Sequence, residues 1–264
     1  MPEDRGAHPT DVCAVVLAAG EGARLRPLTR VLPKPLCPVG NVALVDLALD
    51  RAASAVGATD PATVAVNVHH DRDAIEDHLA GRVHVSVEDG EALGTAGALA
   101  LLRPWSAGRG VLVLNSDTWA PGDLAGFVAG WDRDRVRLLV AGEDRLWPPD
   151  RPASAVAAAL MPAAEVTRLA PVPSGLWEVS WRARLAEDRV EVVRWDGPCL
   201  DCGTPARYLA ANLAASGGAS VVGPGARVAG TLVRAVVWSG ARVRQGEVRV
   251  DAIRAGDGVT VLVR

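Results

Sequence analysis

Leu17-Ala18-Ala19-Gly20-Glu21-Gly22-Ala23-Arg24-Leu25-Arg26-Pro27-Leu28-Thr29, closed a few residues later by Pro33-Lys34-Pro35, decides how this chain is read. The apolar run Val12 to Leu17 that leads into it is short and continuous, the pattern of a strand buried on both faces that feeds a glycine loop. Two glycines, three arginines (Arg24, Arg26, Arg30) and Lys34 then fall within 18 residues. Backbone N–H groups in such a loop form a concave nest for anions, and flanking cations complete it. The constellation is shaped for a triphosphate. It is not a P-loop, because no Gly-Lys-Ser/Thr closes it, and not the dinucleotide fingerprint, because Leu25 stands where the third glycine would be. Lys34 is the only lysine, and the other 27 strongly basic residues are arginines. A retained ammonium in such a chain implies a place where a compact point charge fits and a planar guanidinium does not.

Outward from this stretch, short apolar runs recur at Thr63 to Val68, Val83 to Val87, Val111 to Leu114 and Val136 to Val140. Helical patterns lie among them at Ala43 to Val56, Asp71 to Leu79, Thr95 to Leu102 and Asp123 to Trp131. This alternation predicts an α/β fold with a doubly wound, mostly parallel Rossmann-like sheet and a ligand crevice at the carboxyl ends of its strands, near residues 20, 68, 88 and 117. From Trp147 to Pro173 the pattern turns Pro- and Ala-rich, with strands expected at Ser154 to Leu160 and Leu176 to Trp181 in a lobe open to antiparallel pairing. Pro205 to Ala215 reads as a helix.

Beyond it, Val222-Gly-Pro-Gly-Ala-Arg, Val228-Ala-Gly-Thr-Leu-Val and Val237-Trp-Ser-Gly-Ala-Arg share a six-residue step. Such steps build the coils of a parallel β-helix, although a pair of Gly/Val hairpins fits the same residues. The expected division is a domain over 10–216 and a short hexapeptide-type extension over 217–264.

Bulk properties exclude whole classes. Across 264 residues the net charge is -3, with a pI near 6.0, so the basic field that nucleic-acid binding requires is missing. Val12 to Ala19 is too short to span a bilayer and has no basic lead-in, so no membrane partner is expected and the protein reads as cytoplasmic. Cys13, Cys37, Cys199 and Cys202 have no framework spacing. Cys199-x-x-Cys202 lacks the second ligand pair of a zinc site, which leaves reduced thiols as the expectation.

The opening stretch resembles the signature of the sugar-1-phosphate nucleotidyltransferases, the NDP-sugar pyrophosphorylases. Three more blocks resemble the same family in order: Leu93-Gly94-Thr95-Ala96-Gly97-Ala98-Leu99, Leu114-Asn115-Ser116-Asp117, and Asp201-Cys202-Gly203-Thr204-Pro205 with Tyr208-Leu209. The resemblance implies the nucleotidyltransferase type of sheet with a left-handed parallel β-helix behind it. It implies transfer of a nucleoside monophosphate from a nucleoside triphosphate to a sugar-1-phosphate, with release of pyrophosphate. It places one Mg²⁺ on Asp117 and Asp201, catalysis on Arg24, Lys34 and Asp117, and the nucleotide on Leu17, Ala18, Ala19, Gly20, Gly22 and Arg24 with Gly94 and Thr95. Read without the family, Asp117 and Asp201 are also ordinary strand-end or capping aspartates, and Thr95 an N-cap. His69 and His70 are poor general bases here, because the nucleophile is an already ionised phosphate oxygen.

On the acceptor side the family's Glu-Lys-Pro has no counterpart. Arg168, in Glu165-Val-Thr-Arg168, is the candidate replacement for its lysine, with Asn115, Gly175 and Glu178 as further sugar-phosphate contacts. Trp177, Trp181 and Trp195 crowd the same region and serve either the core or a sugar. The loop Leu93 to Gly97 leans toward guanylyl transfer to a mannose-type phosphate, and a small non-sugar acceptor such as phosphocholine fits the tail less well. The rival from another class is a regulatory partner that binds nucleotides or sugar nucleotides without processing an acceptor. The end of the short β-helix is a candidate surface for a homo-oligomer.

Overall fold

The computed structural model describes residues 11–142, 155–256 and 258–263. Seven strands form one sheet: β1 (Val12–Leu17), β2 (Val64–Val68), β3 (His84–Val87), β4 (Gly110–Asn115), β5 (Val136–Ala141), β6 (Ala155–Met161) and β7 (Val190–Trp195), in the order β7-β5-β6-β4-β1-β2-β3. Neighbours run parallel except β6, which is antiparallel to both β4 and β5. β1 and β2 are buried along almost their whole length, as runs that are apolar except for Asn67 demand when helices cover a parallel sheet. The longer helices among the described residues are α1 (Leu44–Val56), α2 (Arg72–Leu79), α3 (Gly94–Leu101), α4 (Ala163–Arg168) and α5 (Pro205–Ala215). From β1 the chain proceeds to β2 and β3 on one side, then places β4 on the other. The order reverses between β1 and β4, where Leu17 and Asn115 are register partners at the carboxyl ends of their strands. Such a reversal opens a crevice in an α/β sheet.

The chain divides into two compact units that interleave along the sequence. The first holds the sheet and comprises residues up to Gly20, Ala48–Ser116 and Ala120–Cys199; the second comprises Glu21–Leu47, Asp117–Trp119 and Leu200–Arg264. Within the second unit, Tyr208 of α5 is fully buried among Leu25, Leu28, Cys37, Trp238 and Ile253. Its hydroxyl donates to the Pro38 carbonyl and accepts from Trp238 Nε1 at 3.0 Å.

Within the second unit, Val221 pairs with Val236 and Val236 with Ile253, all in parallel, while Arg227–Arg242 and Thr231–Val248 head two further parallel pairs. Ala252–Ala255 and Val259–Leu262 end the chain as an antiparallel hairpin. The stretches with the six-residue step thus pair in parallel, and the antiparallel hairpin lies beyond them.

Two sequence expectations are corrected. Leu176 to Trp181, expected as a strand, is helical: a π-helical turn Trp177–Trp181 runs on into Arg182–Ala186. The alternation Trp177, Val179, Trp181 imitates a strand, but the buried positions are Leu176 and Ser180, one helical turn apart. Asp123 to Trp131 forms only the single turn Ala125–Val128, because the chain is already extended at Ala129 and Gly130 has a φ of 69°. Of the strand expected at Ser154 to Leu160, Ser154 lies outside the described residues and the rest is β6.

Candidate functional site

In the second unit the loop around Gly22 closes on Lys34. Gly22 sits at φ 67°, and a Cβ built on it would lie 2.9 Å from Lys34 Cβ and 3.0 Å from Thr29 Cγ2. Glycine is required here both by the left-handed backbone and by the contact. Lys34, 8% exposed, pairs its ammonium with the Asp117 carboxylate. Asp201 stands opposite Thr118 in the short antiparallel pair of Leu200–Asp201 with Thr118–Trp119, and Cys202 N donates to the Asp117 carbonyl at 2.8 Å. The two aspartates are thus brought onto adjacent backbone although far apart in sequence. Asp201 accepts from Gly203 N at 2.7 Å and from Arg207 Nη1 at 3.3 Å. A Cβ on Gly203 would lie 2.7 Å from Asp201 Oδ1 and 3.0 Å from Arg24 Nη2, so Arg24 belongs to the same cluster. Thr204 caps α5, accepting from Arg207 N, and Pro205 takes the first helical position.

Whether this cluster suits a divalent cation follows from its donors. Asp117 and Asp201 offer hard oxygens and are 32% and 30% exposed, each already facing a cationic side chain. No group of three or more His, Cys, Asp or Glu among the described residues is placed to hold a metal by itself. Two carboxylates without a cage fit Mg²⁺, which keeps waters and completes its shell with substrate phosphates. No disulfide forms among the described residues, and burial pushes the thiols of Cys37 and Cys202 up to about 12 and that of Cys13 up to about 11. Raised values keep these three protonated at neutral and mildly alkaline pH. Iodoacetamide on the native protein at pH 8 is therefore expected to leave Cys13, Cys37 and Cys202 unmodified until denaturant is added, as peptide mapping would read. Alkylation of any of the three in the folded state would contradict their burial.

In the first unit a buried polar chain ties three loops together. Ala18 N donates to Asn67 Oδ1 at 2.8 Å, Asn67 Nδ2 donates to Glu88 Oε1 at 2.6 Å, and Leu93 N donates to Glu88 Oε2 at 2.7 Å. Asn67 is 2% and Glu88 3% exposed. Glu88→Ala leaves an amide and a backbone N–H without acceptors, a cost of about 3 kcal/mol. In a protein of this size that lowers Tm by about 10 °C, readable by calorimetry, and a shift below about 2 °C would refute the role. His69 Nδ1 lies 3.0 Å from the Glu88 carbonyl, and His70 pairs with Asp71.

Gly94 and Gly97 are held by close approach of the chain itself. A Cβ on Gly94 would lie 2.6 Å from the Ser174 carbonyl oxygen and one on Gly97 2.4 Å from that of Val172. Ala96 N donates to Ser174 O at 3.0 Å, and Thr95 Oγ1 accepts from Leu176 N at 2.8 Å. Thr95 does not cap α3. Its oxygen anchors the start of the helical segment that carries Trp177 and Glu178.

That segment roofs a pocket of about 210 Å³ at the reversal between β1 and β4. Leu17, Thr95, Asn115, Gly175 and Glu178 all line it, so five of the sequence candidates converge here. Ala18 and Gly20 lie on the loop beyond β1, and a Cβ on Gly20 would meet open space. Arg168 is not among the lining residues. It pairs with Glu165 at 2.6 Å, and the buried Glu165 carboxylate also accepts from Arg184 Nε at 2.9 Å. Asn67, Glu88, Gly203 and Arg207 carry contacts that the sequence reading did not assign. A lone asparagine in the apolar run Val64–Val68 was the available signal for the first, since an unpaired amide inside a strand is costly.

A Nucleotidyl transferase family model matches residues 13–141. The N-acetylmuramate alpha-1-phosphate uridylyltransferase of Caulobacter vibrioides is 41% identical over 144 residues, 48% of this chain and 56% of the relative. The mannose-1-phosphate guanyltransferase of Schizosaccharomyces pombe is 40% identical over 124 residues, 43% of this chain and 33% of the relative. The chain thus matches about half the length of the first and a third of the second. A solved structure from Thermus thermophilus, a mannose-1-phosphate geranyltransferase by its description, superposes with a TM-score of 0.68 at 20% identity, covering 96% of this chain and 95% of that one. At that identity the likeness speaks for the fold.

Proposed function

With residues 13–141 making the chain a member of the nucleotidyl transferase family, we propose that it transfers a nucleoside monophosphate from a nucleoside triphosphate to a sugar-1-phosphate. The observation that carries this reading is the single cluster of Gly22, Arg24, Lys34, Asp117 and Asp201. The loop around Gly22 cradles the triphosphate, Arg24 holds the β- and γ-phosphates, and Lys34 lies nearer the α-phosphate. A phosphate oxygen of the acceptor attacks the α-phosphorus in line. A bond forms between them, the bond to the β-phosphate bridge oxygen breaks, and pyrophosphate leaves with that electron pair. No general base is needed, so positioning and charge neutralisation carry the rate. Neutralising the phosphate oxygens is the chemistry that Mg²⁺ on Asp117 and Asp201 supplies when bound.

The polar chain through Asn67 and Glu88 fixes the loop at Ala18 and the entry to α3, where the nucleotide is assigned to Leu17, Ala18, Ala19, Gly20, Gly94 and Thr95. The pocket takes the acceptor through Asn115, Gly175 and Glu178. We read the C-terminal parallel pairs as a short left-handed β-helix and the sheet as doubly wound. No helix among the described residues is long and apolar enough to cross a membrane. Guanylyl transfer to mannose-1-phosphate rests on the Leu93–Gly97 loop, but the relatives divide between guanylyl and uridylyl names, so that loop alone does not choose the base.

A second reading, a regulatory partner that binds nucleotide without turnover, draws on one observation. No lysine or arginine lines the pocket among the described residues, and Arg168 is engaged by Glu165. A screen of nucleoside triphosphates against sugar-1-phosphates with Mg²⁺, read as pyrophosphate release, separates the two. Release with at least one pair supports the transferase; triphosphate binding with silence across the panel supports the partner.

A further inference from the structure

The helical segment that roofs the pocket begins without a cap of its own. No side chain of its own stretch accepts from its leading N–H groups, and Ser174 Oγ just before it donates to the Val172 carbonyl at 2.9 Å instead. The start of a helix leaves its first N–H groups without partners, and a Ser or Thr immediately ahead of the helix ordinarily supplies the acceptor. Here the acceptor comes from another element. Leu176 N donates to Thr95 Oγ1 on α3, 81 residues earlier in the chain, at 2.8 Å.

Around that bond the two stretches are joined by backbone alone. Ser174 N donates to the Leu93 carbonyl at 3.0 Å, Ala96 N donates to the Ser174 carbonyl at 3.0 Å, and Gly94 and Gly97 admit the carbonyls of Ser174 and Val172. Residues 93–97 contain one polar side chain, that of Thr95. Further along, the roof is held by other groups: Ser180 Oγ and Arg184 Nε donate to Glu165 Oε2 at 3.5 and 2.9 Å, and Trp181 Nε1 donates to Met161 Sδ at 3.1 Å. Its leading end, where Gly175, Trp177 and Glu178 line the pocket, depends on Thr95.

We propose that the Thr95 hydroxyl is a positioning group for the acceptor. It caps the roof segment from α3 and so sets where Gly175, Trp177 and Glu178 meet the sugar phosphate, while the nucleotide is left to the backbone of Gly94 and Thr95. This rests on the transferase reading above and gives a side chain of the base-side loop a role on the acceptor side.

Thr95→Val keeps the branched shape and removes the accepting oxygen. Initial rates of pyrophosphate release, with triphosphate and sugar-1-phosphate varied in turn, are expected to show the acceptor KM raised about tenfold and the triphosphate KM moved by less than about threefold. Thr95→Ser restores an oxygen of comparable capping strength and is expected to bring the acceptor KM back to within about threefold of wild type. A triphosphate KM that rises as far as the acceptor KM overturns the proposal. So does an acceptor KM unchanged in the valine variant, or a serine variant as impaired as the valine one. Should the valine variant fail to fold, Thr95→Ala takes its place with the same expectations.

Silence of the wild type with every substrate pair removes the transferase reading, and the hydroxyl is then tested without turnover. Trp177 and Trp181 line the pocket, so tryptophan fluorescence reports its occupancy. Titration with mannose-1-phosphate is expected to require about tenfold more ligand in Thr95→Val than in wild type or Thr95→Ser. Equal titrations, or no response in any of the three, overturn the proposal.

Discussion

Asp117→Asn is expected to cut turnover by about a thousandfold, close to 4 kcal/mol of transition-state stabilisation, while the protein still folds. The carboxylate does two things that an amide cannot. It contributes a charged oxygen to the proposed Mg²⁺ beside Asp201, and it opposes the ammonium of Lys34, which is 8% exposed. Asparagine keeps an oxygen that accepts from Lys34, so the stability loss stays near 1 kcal/mol; alanine strands the ammonium and costs about 3 kcal/mol. Pyrophosphate release and a thermal melt on both variants separate the effects. Turnover within tenfold of wild type in Asp117→Asn would remove this residue from the chemistry.

Lys34→Arg is expected to lose about a hundredfold in kcat, close to the loss in Lys34→Met, even though positive charge is retained. The lysine stem runs directly beneath Gly22, whose hypothetical Cβ would lie 2.9 Å from its Cβ and 3.3 Å from its Cδ. A guanidinium is planar and broader than an ammonium, so from a stem packed this closely against Gly22 it cannot present the same compact charge to Asp117. The KM for the triphosphate is expected to move far less than kcat, because the ammonium is assigned to charge that shifts during the step. An arginine enzyme within threefold of wild type would mean that any cation suffices at this position.

Much of this was legible in the residues. Short, mostly apolar runs gave five of the seven strands; in β1 and β4 burial on both faces leaves the sequence little freedom for polar alternation, whereas β3, only partly buried, alternates Val with His84 and Ser86. The loop from Gly20 to Lys34 pointed to the anion site proposed above, because glycines and cations at that spacing have few other uses. The helix at Trp177 was not legible, since two tryptophans flanking a valine alternate like a strand, and only the burial of Leu176 with Ser180 reveals the turn. Arg168 was chosen by elimination of lysines. Elimination could not foresee Glu165, a buried carboxylate that engages it from one turn away. Nor could spacing show that Gly94 and Gly97 make room for the carbonyls of Ser174 and Val172.

The Asn67–Glu88 chain has an evolutionary consequence. One carboxylate serves Asn67 with one oxygen and Leu93 with the other, and Asn67 in turn holds Ala18. Loops that share a single anchor cannot drift independently: an insertion in one must be matched by the other two or lose a buried partner. Change in any one of these three segments is therefore tied to change in the other two. A graft that replaces one of them alone puts the shared carboxylate of Glu88 at risk of losing a partner.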